Sequence, residues 1–264
     1  MTRNILGGFA ISALLLAAPL SAAGAADMAV KAPAPPPAPV FSWTGLYIGG
    51  NAGGVWGHSS WCTDATVTNC AVPGLAPIDN VSESPDGWLG GAQLGFRWQA
   101  PGNFVVGVEG MFDYLNISKT APSCLSLAPP CGGVLFPGRT RTTTFTDIDS
   151  VTGQLGYAWN RVLVYGKGGW ASTTLGVDAL NTLPGGFDLN VSQWVDGWTA
   201  GGGLEYMVLQ NISIGVEYDY YRFSVGNFVG LTNSGGAVIP CSFCNFGTTS
   251  IQTVVGRVNF KFPG

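Results

Sequence analysis

Ile212-Ser-Ile-Gly-Val-Glu-Tyr-Asp-Tyr-Tyr221 alternates without interruption. Ile212, Ile214, Val216, Tyr218 and Tyr220 fall on one face, and Glu217, Asp219 and Tyr221 on the other. A period of two is the mark of a β-strand whose faces meet different media. The same division recurs along the chain. The run 103–115 separates Phe104, Val106, Val108, Phe112 and Tyr114 from Glu109 and Asp113. The run 87–98 separates Trp88, Leu94, Phe96 and Trp98 from Gln93 and Arg97, and the last run separates Val254, Val258, Phe260 and Phe262 from Arg257, Asn259 and Lys261. A soluble barrel would turn the apolar face inward, burying about eight rows of aromatics in a space too narrow for them. Turning aromatics to lipid and charges to the lumen removes that conflict.

About eight runs of this kind follow one another: 43–57, 87–98, 103–115, 145–159, 162–177, 193–208, 212–225 and 250–262. Their connections alternate in length. Gln99-Ala-Pro-Gly-Asn103, Asn160-Arg161 and Leu209-Gln-Asn211 have hairpin-turn length and chemistry. The connections near 58–86, 116–143, 178–192 and 226–249 are long and polar. Short turns at one end and long loops at the other predict an all-β, eight-stranded antiparallel transmembrane barrel over 43–262. Closing the sheet leaves no strand edge unpaired, a condition hydrocarbon imposes.

Composition agrees. Of 264 residues only 10% are charged and 46% are hydrophobic, with 12% aromatic and 40 glycines; soluble domains carry roughly 25% charge. Mean hydropathy is +0.28, yet beyond the N-terminal segment no apolar stretch reaches the ~18 residues of a membrane helix. Eleven basic against fifteen acidic residues provide no basic face for nucleic acid. The aromatics also gather at two levels. Trp98, Trp159, Tyr206 and Phe260 lie near the short turns, and Trp56, Trp88, Trp170 and Trp194 near the long loops. Two belts across an apolar band are expected where a barrel meets both membrane interfaces.

The N-terminus has the zones of a secretory signal: Arg3, the apolar stretch Ile5–Leu20, then the small residues Ser21–Ala26. Cleavage after Ala25 or Ala26 fits, and Ala26 is preferred, which makes 1–26 a signal peptide. An uncleaved anchor is the alternative. Residues 27–42 contain Lys31-Ala-Pro-Ala-Pro-Pro-Pro-Ala-Pro-Val40, a stiff Pro-rich periplasmic spacer. The six cysteines form three close pairs, Cys62/Cys70, Cys124/Cys131 and Cys241/Cys244. In an exported chain an even count suggests disulfides, with pairing inside each loop the simplest connectivity. A redox motif at Cys241-Ser-Phe-Cys244 lacks the helix N-terminus that would lower a thiol pKa.

Several segments also carry a family resemblance. Phe41-Ser-Trp-Thr-Gly-Leu-Tyr-Ile-Gly-Gly-Asn51 resembles the first strand of the small, OmpA-like outer-membrane barrels of the alphaproteobacterial porin family. Gly156-Tyr-Ala-Trp-Asn-Arg-Val-Leu-Val-Tyr165 is similar to their central hairpin. Gly197-Trp-Thr-Ala-Gly-Gly-Gly-Leu-Glu-Tyr206, followed by Val216-Glu-Tyr-Asp-Tyr220, resembles their penultimate pair. The resemblance implies an eight-stranded barrel in the outer membrane with its short turns in the periplasm. Members are described as porins, structural barrels and surface antigens. Family chains commonly end on an aromatic residue, which resembles a recognition signal for the barrel-assembly machinery; here Pro263 and Gly264 follow Phe262. A peptidoglycan-binding domain after the barrel is not expected.

Collecting the inward charges gives Arg97, Lys167, Arg257 and Lys261 against Glu109, Asp113, Glu205, Glu217 and Asp219. Buried opposite charges should pair, and side chains nearly fill an eight-stranded barrel. The expectation is a largely plugged, salt-bridged lumen with trapped water, and a structural or surface role. A small-solute diffusion pore is the alternative, and ligand or host binding through disulfide-pinned loops is the second. Trp61, Leu125, Leu127, Phe136, Phe243 and Phe246 would serve that loop-binding reading. No enzyme, cofactor or metal is expected. His58, the only histidine, has Ser59 and Ser60 beside it, but neighbours on an extended strand point apart. Glu109 with Glu205 or Glu217 reads as ion pairing before acid–base work. The partners expected are outer-membrane lipid and lipopolysaccharide, with the assembly machinery during insertion.

Overall fold

The computed structural model describes residues 41–63, 81–122, 139–181, 189–225, 231–232, 238–239 and 244–262. The strands are β1 (Gly45–Thr63), β2 (Val81–Glu83), β3 (Asp86–Gln99), β4 (Phe104–Pro122), β5 (Arg139–Trp159), β6 (Val162–Asn181), β7 (Leu189–Leu209), β8 (Ile212–Ser224), β9 (Leu231–Thr232), β10 (Val238–Ile239) and β11 (Cys244–Lys261). Eight of them, β1, β3 to β8 and β11, form one antiparallel sheet in chain order. Pairing of β11 with β1, from Tyr47↔Lys261 to Thr63↔Cys244, closes that sheet into a barrel. The short β2 adds to the outer end of β1, opposite Ser59 to Trp61.

Tight turns join the strands at the periplasmic end. Between β3 and β4 the chain reverses through Gly102 and Asn103, both at positive φ, and Ala100 N–H donates to the Phe104 carbonyl at 2.7 Å. Asn160 takes positive φ in the turn from β5 to β6. Glycine and asparagine adopt this region at little steric cost.

The strands run further than their alternation suggested. β5 and β7 have 21 residues, β6 has 20, and β1 and β4 have 19. A tilted spanning strand needs only ~9–11. Parts of the expected loops 58–86, 116–143, 178–192 and 226–249 are therefore paired strand, as in Lys119↔Thr143 and Pro122↔Thr140. The reason lies in the Thr140–Thr144 region. Threonine is polar enough to read as loop, but its branched Cβ favours a pleated sheet.

At about the level of the upper aromatics the wall changes character. In β8 the outward residues run Ile214, Val216, Tyr218, then Arg222 and Ser224, while the inward ones run Ser213, Glu217, Asp219, then Tyr221 and Phe223. In β4 the outward Phe112 and Tyr114 give way to Asn116 and Ser118, and the inward Glu109 and Asp113 to Leu115 and Ile117. Near the turns the barrel is apolar outside and polar inside; near the loops it is polar outside and apolar inside. The first arrangement suits hydrocarbon and the second suits water. The polarity switch therefore marks the outer membrane surface.

Candidate functional site: the layered lumen

The inward side chains sort into layers along the barrel axis. Closest to the periplasm, Trp43, Val105, Ala158, Leu163, Tyr165 and Met207 pack into an apolar layer, with Phe41 against it. Trp43 is buried there; its indole N–H donates to the Asn160 carbonyl at 3.2 Å, and its backbone N–H to Gln99 Oε1 at 2.9 Å. A second apolar group fills the loop-side half, including Leu89, Leu115, Phe145, Leu175, Val195, Tyr221 and Phe223.

Between the two lies the charged layer. Arg97 of β3 reaches across to Glu205 of β7 with two parallel bonds of 2.8 and 2.9 Å. This fork geometry is the strong form of the pair. The Arg97 guanidinium also lies 4.4 Å from the Tyr47 ring centre and 5.1 Å from that of Tyr165, close enough for cation–π attraction. Its Nε donates to Gln154 Oε1 at 2.9 Å. Arg257 of β11 bridges Glu109 and Glu217 through its two terminal nitrogens, while its Nε lies 3.5 Å from Glu205. Lys167 Nζ is 2.7 Å from Glu217, 3.3 Å from Glu109 and 3.4 Å from Asp219. Tyr47 donates to Glu109 at 2.7 Å, Tyr165 donates to Glu217, and Ser213 donates to Glu205 at 2.9 Å.

Eight of the nine expected lumen charges, Arg97, Glu109, Asp113, Lys167, Glu205, Glu217, Asp219 and Arg257, are buried in this layer. Lys261 is different. It is half-buried at the periplasmic rim, where its ammonium donates to the Ser42 carbonyl. Its inward parity was right, but it lies one step too near the end of β11 to reach a carboxylate. The buried layer thus sets three cations against five carboxylates. Sequence reasoning missed the neutral members Tyr47, Asn51, Gln154, Tyr165 and Ser213, although each shares the inward parity of the charges beside it, whereas Gln93 and Asn259 stand on the face where the alternation put them. Gln93 links Asn51 at 3.1 Å to Asn259 at 2.8 Å, extending the network across β1, β3 and β11.

Glycines make room for this layer. A Cβ at Gly91 would overlap Asp113 Oδ1 and the Phe112 carbonyl, and one at Gly201 would overlap Asp219 Oδ1 and the Tyr218 carbonyl.

Trp56, Trp88, Trp98, Trp159, Trp170, Trp194, Tyr206 and Phe260 all stand on the outer surface of the wall. Trp170 is directly opposite Trp198, and Trp194 stands four residues further toward the loops, opposite Thr174. His58 is exposed, whereas Ser59 beside it is buried and bonded to Thr249 Oγ1 at 3.0 Å, so the two point apart. The backbones of Cys62 and Cys244 lie in β1 and β11, in neighbouring pairs of one ladder. Their side chains, and Cys70, Cys124, Cys131 and Cys241, lie outside the described residues, as do residues 1–40 and most of the loop aromatics.

Comparison with known proteins places this architecture. A 31 kDa outer-membrane immunogenic protein of Brucella melitensis is 34% identical over 233 residues, covering 81% of this chain and 86% of that protein. A 25 kDa outer-membrane immunogenic protein of Brucella canis is 30% identical over 223 residues, covering 83% and 84%. Among solved structures, the outer membrane protease OmpT of Escherichia coli superposes with a TM-score of 0.52 at 10% identity, over 84% of this chain and 98% of that one. That likeness concerns the barrel fold alone. The profile of the outer membrane protein beta-barrel domain matches residues 12–262. A closed eight-stranded barrel with an apolar outer band, matched over almost its whole length by that profile, belongs to the outer membrane protein beta-barrel domain family and resides in the cell outer membrane.

Proposed function

We propose that the protein is a structural, surface-facing barrel whose lumen is sealed, and neither a diffusion pore nor an enzyme. The stacking of the interior carries this reading: a cross-linked charge layer held between two apolar layers. A hydrated solute or ion would have to part Arg97 from Glu205 and Arg257 from two carboxylates at once. Breaking a buried pair in this way leaves uncompensated charges, at about 3–5 kcal/mol. It would also have to cross the two apolar clusters that flank the charged layer. Glu109, Glu205 and Glu217, committed to arginine, lysine and tyrosine, are poorly placed for acid–base chemistry. The 1–26 signal and the 27–42 spacer belong to this reading as the export address and the periplasmic tether. So does contact with outer-membrane lipid and lipopolysaccharide, with assembly machinery acting during insertion.

Binding through disulfide-pinned loops is compatible with a sealed barrel, and the immunogenicity in the relatives' names supports a surface role for the loops. Liposome swelling tests the central reading. Vesicles carrying the folded protein should swell in small sugars and amino acids at the rate of empty vesicles. Swelling that falls with solute size would establish a diffusion pore instead.

A further inference from the structure

On the outer wall, just beyond the upper aromatics, three neighbouring strands bring Asp149, Ser172 and Asp196 into one row. Asp149 of β5 is directly opposite Ser172 of β6, and Ser172 is directly opposite Asp196 of β7. All three point outward, because Ser150, Thr173 and Val195 beside them point into the lumen. Ser172 is the unusual member. It lies on the outer surface, yet it is only 1% exposed and its hydroxyl has no hydrogen-bond partner. The rows that frame it hold Trp170 opposite Trp198 on the membrane side and Thr174 opposite Trp194 on the loop side. The row therefore presents a buried, unpartnered hydroxyl between two carboxylate-bearing strands.

We propose that Asp149, Ser172 and Asp196 form a divalent-cation half-site, completed by phosphate oxygens of lipopolysaccharide in the outer leaflet. The spacing fits. Strands two apart place the two aspartate Cβ atoms about 9.6 Å from each other. Turned toward Ser172, each carboxylate would reach inward by about 2.4 Å, leaving roughly 5 Å between facing oxygens, twice the 2.3–2.6 Å bond of calcium to oxygen. The depth fits as well. Two residues beyond the Trp170–Trp198 pair is about 5 Å along the membrane normal for a strand tilted near 40°. Phosphates lie in that zone, outside a hydrocarbon core about 30 Å thick. Among the described residues no three acidic, histidine or cysteine side chains converge on a self-sufficient metal cage. The row faces outward at the membrane surface, where lipid oxygens can supply the remaining ligands. Asp147 is committed elsewhere: its carboxylate accepts the Thr174 N–H at 2.9 Å. Arg222, outward, exposed and opposite Trp198, is available to the same phosphates.

The test uses the full chain, folded in maltoside micelles, with and without phosphorylated lipopolysaccharide, and titrated with calcium. Folding of each variant is checked by its heat-shifted gel mobility. Wild type should bind lipopolysaccharide about tenfold more tightly with calcium than with chelator, as expected of a site gaining lipid ligands. Asp149→Asn/Asp196→Asn should lose that increment, while Asp86→Asn, an exposed aspartate on β3, should keep it. The same increment in the double variant, or none in wild type, would overturn the proposal. Equal calcium affinity without lipopolysaccharide, or with a dephosphorylated form, would overturn the role given to lipid phosphate.

Discussion

Arg257→Met is the most informative change to the charged layer. The guanidinium touches Glu109 and Glu217 and lies 3.5 Å from Glu205, so its loss leaves two cations facing five carboxylates in a buried layer. Removing one partner of a buried ion pair costs about 3–5 kcal/mol. The lower end applies here, because Lys167 still lies 2.7 Å from Glu217 and 3.3 Å from Glu109, and Tyr47 still donates to Glu109. A loss of about 3 kcal/mol shifts the unfolding equilibrium roughly 150-fold. Urea unfolding in phospholipid vesicles, followed by tryptophan emission and gel mobility, reads that shift. Adding Glu109→Gln removes one carboxylate along with the cation and should recover at least about 1 kcal/mol, since contacting groups are coupled. A change below about 0.5 kcal/mol in Arg257→Met would refute the reasoning, that being the scale of an uninvolved surface site. Strict additivity of the two substitutions would refute it equally.

Two further outcomes follow from the layering. Trp43→Ala removes a buried indole and its hydrogen bond to the Asn160 carbonyl from the periplasmic layer and should cost about 3–5 kcal/mol in the same urea experiment. Phe112→Arg places a charge in the lipid-facing band and should cost about 2–4 kcal/mol, whereas Asn116→Arg, four residues further and still outward, should stay within about 0.5 kcal/mol. Equal effects at 112 and 116, read by folding yield into vesicles, would remove the polarity switch as a mark of the membrane surface.

Alternation made the barrel legible in the sequence. Glu217 and Asp219 beside Tyr218 and Tyr220 fix both the period and the faces, and the signal persists because lipid and lumen differ so sharply in polarity. The lumen charges were legible for the same reason. The loop-side half was not, because there the faces exchange character while the parity stays the same. Leu115 and Ile117 continue the inward row of Glu109 and Asp113. An eye following apolar residues alone sees the pattern stop at Tyr114 and assigns a loop. The usable signal was the continued period of two through Asn116 and Ser118. Trp43 was read only as the start of a strand. Its role in filling the periplasmic end depends on Gln99 and Asn160, 56 and 117 positions away, which local patterning does not connect. Lys261 had the right parity, but parity gives no axial depth.

Single-channel recording in a planar bilayer bears most directly on the sealed lumen, with gel mobility confirming that the inserted protein is folded. The layered interior predicts a quiet baseline for wild type across the working voltage range. Reproducible, salt-dependent steps that change size in Arg257→Met would contradict it, because the ions would then be passing through the layer held to exclude them.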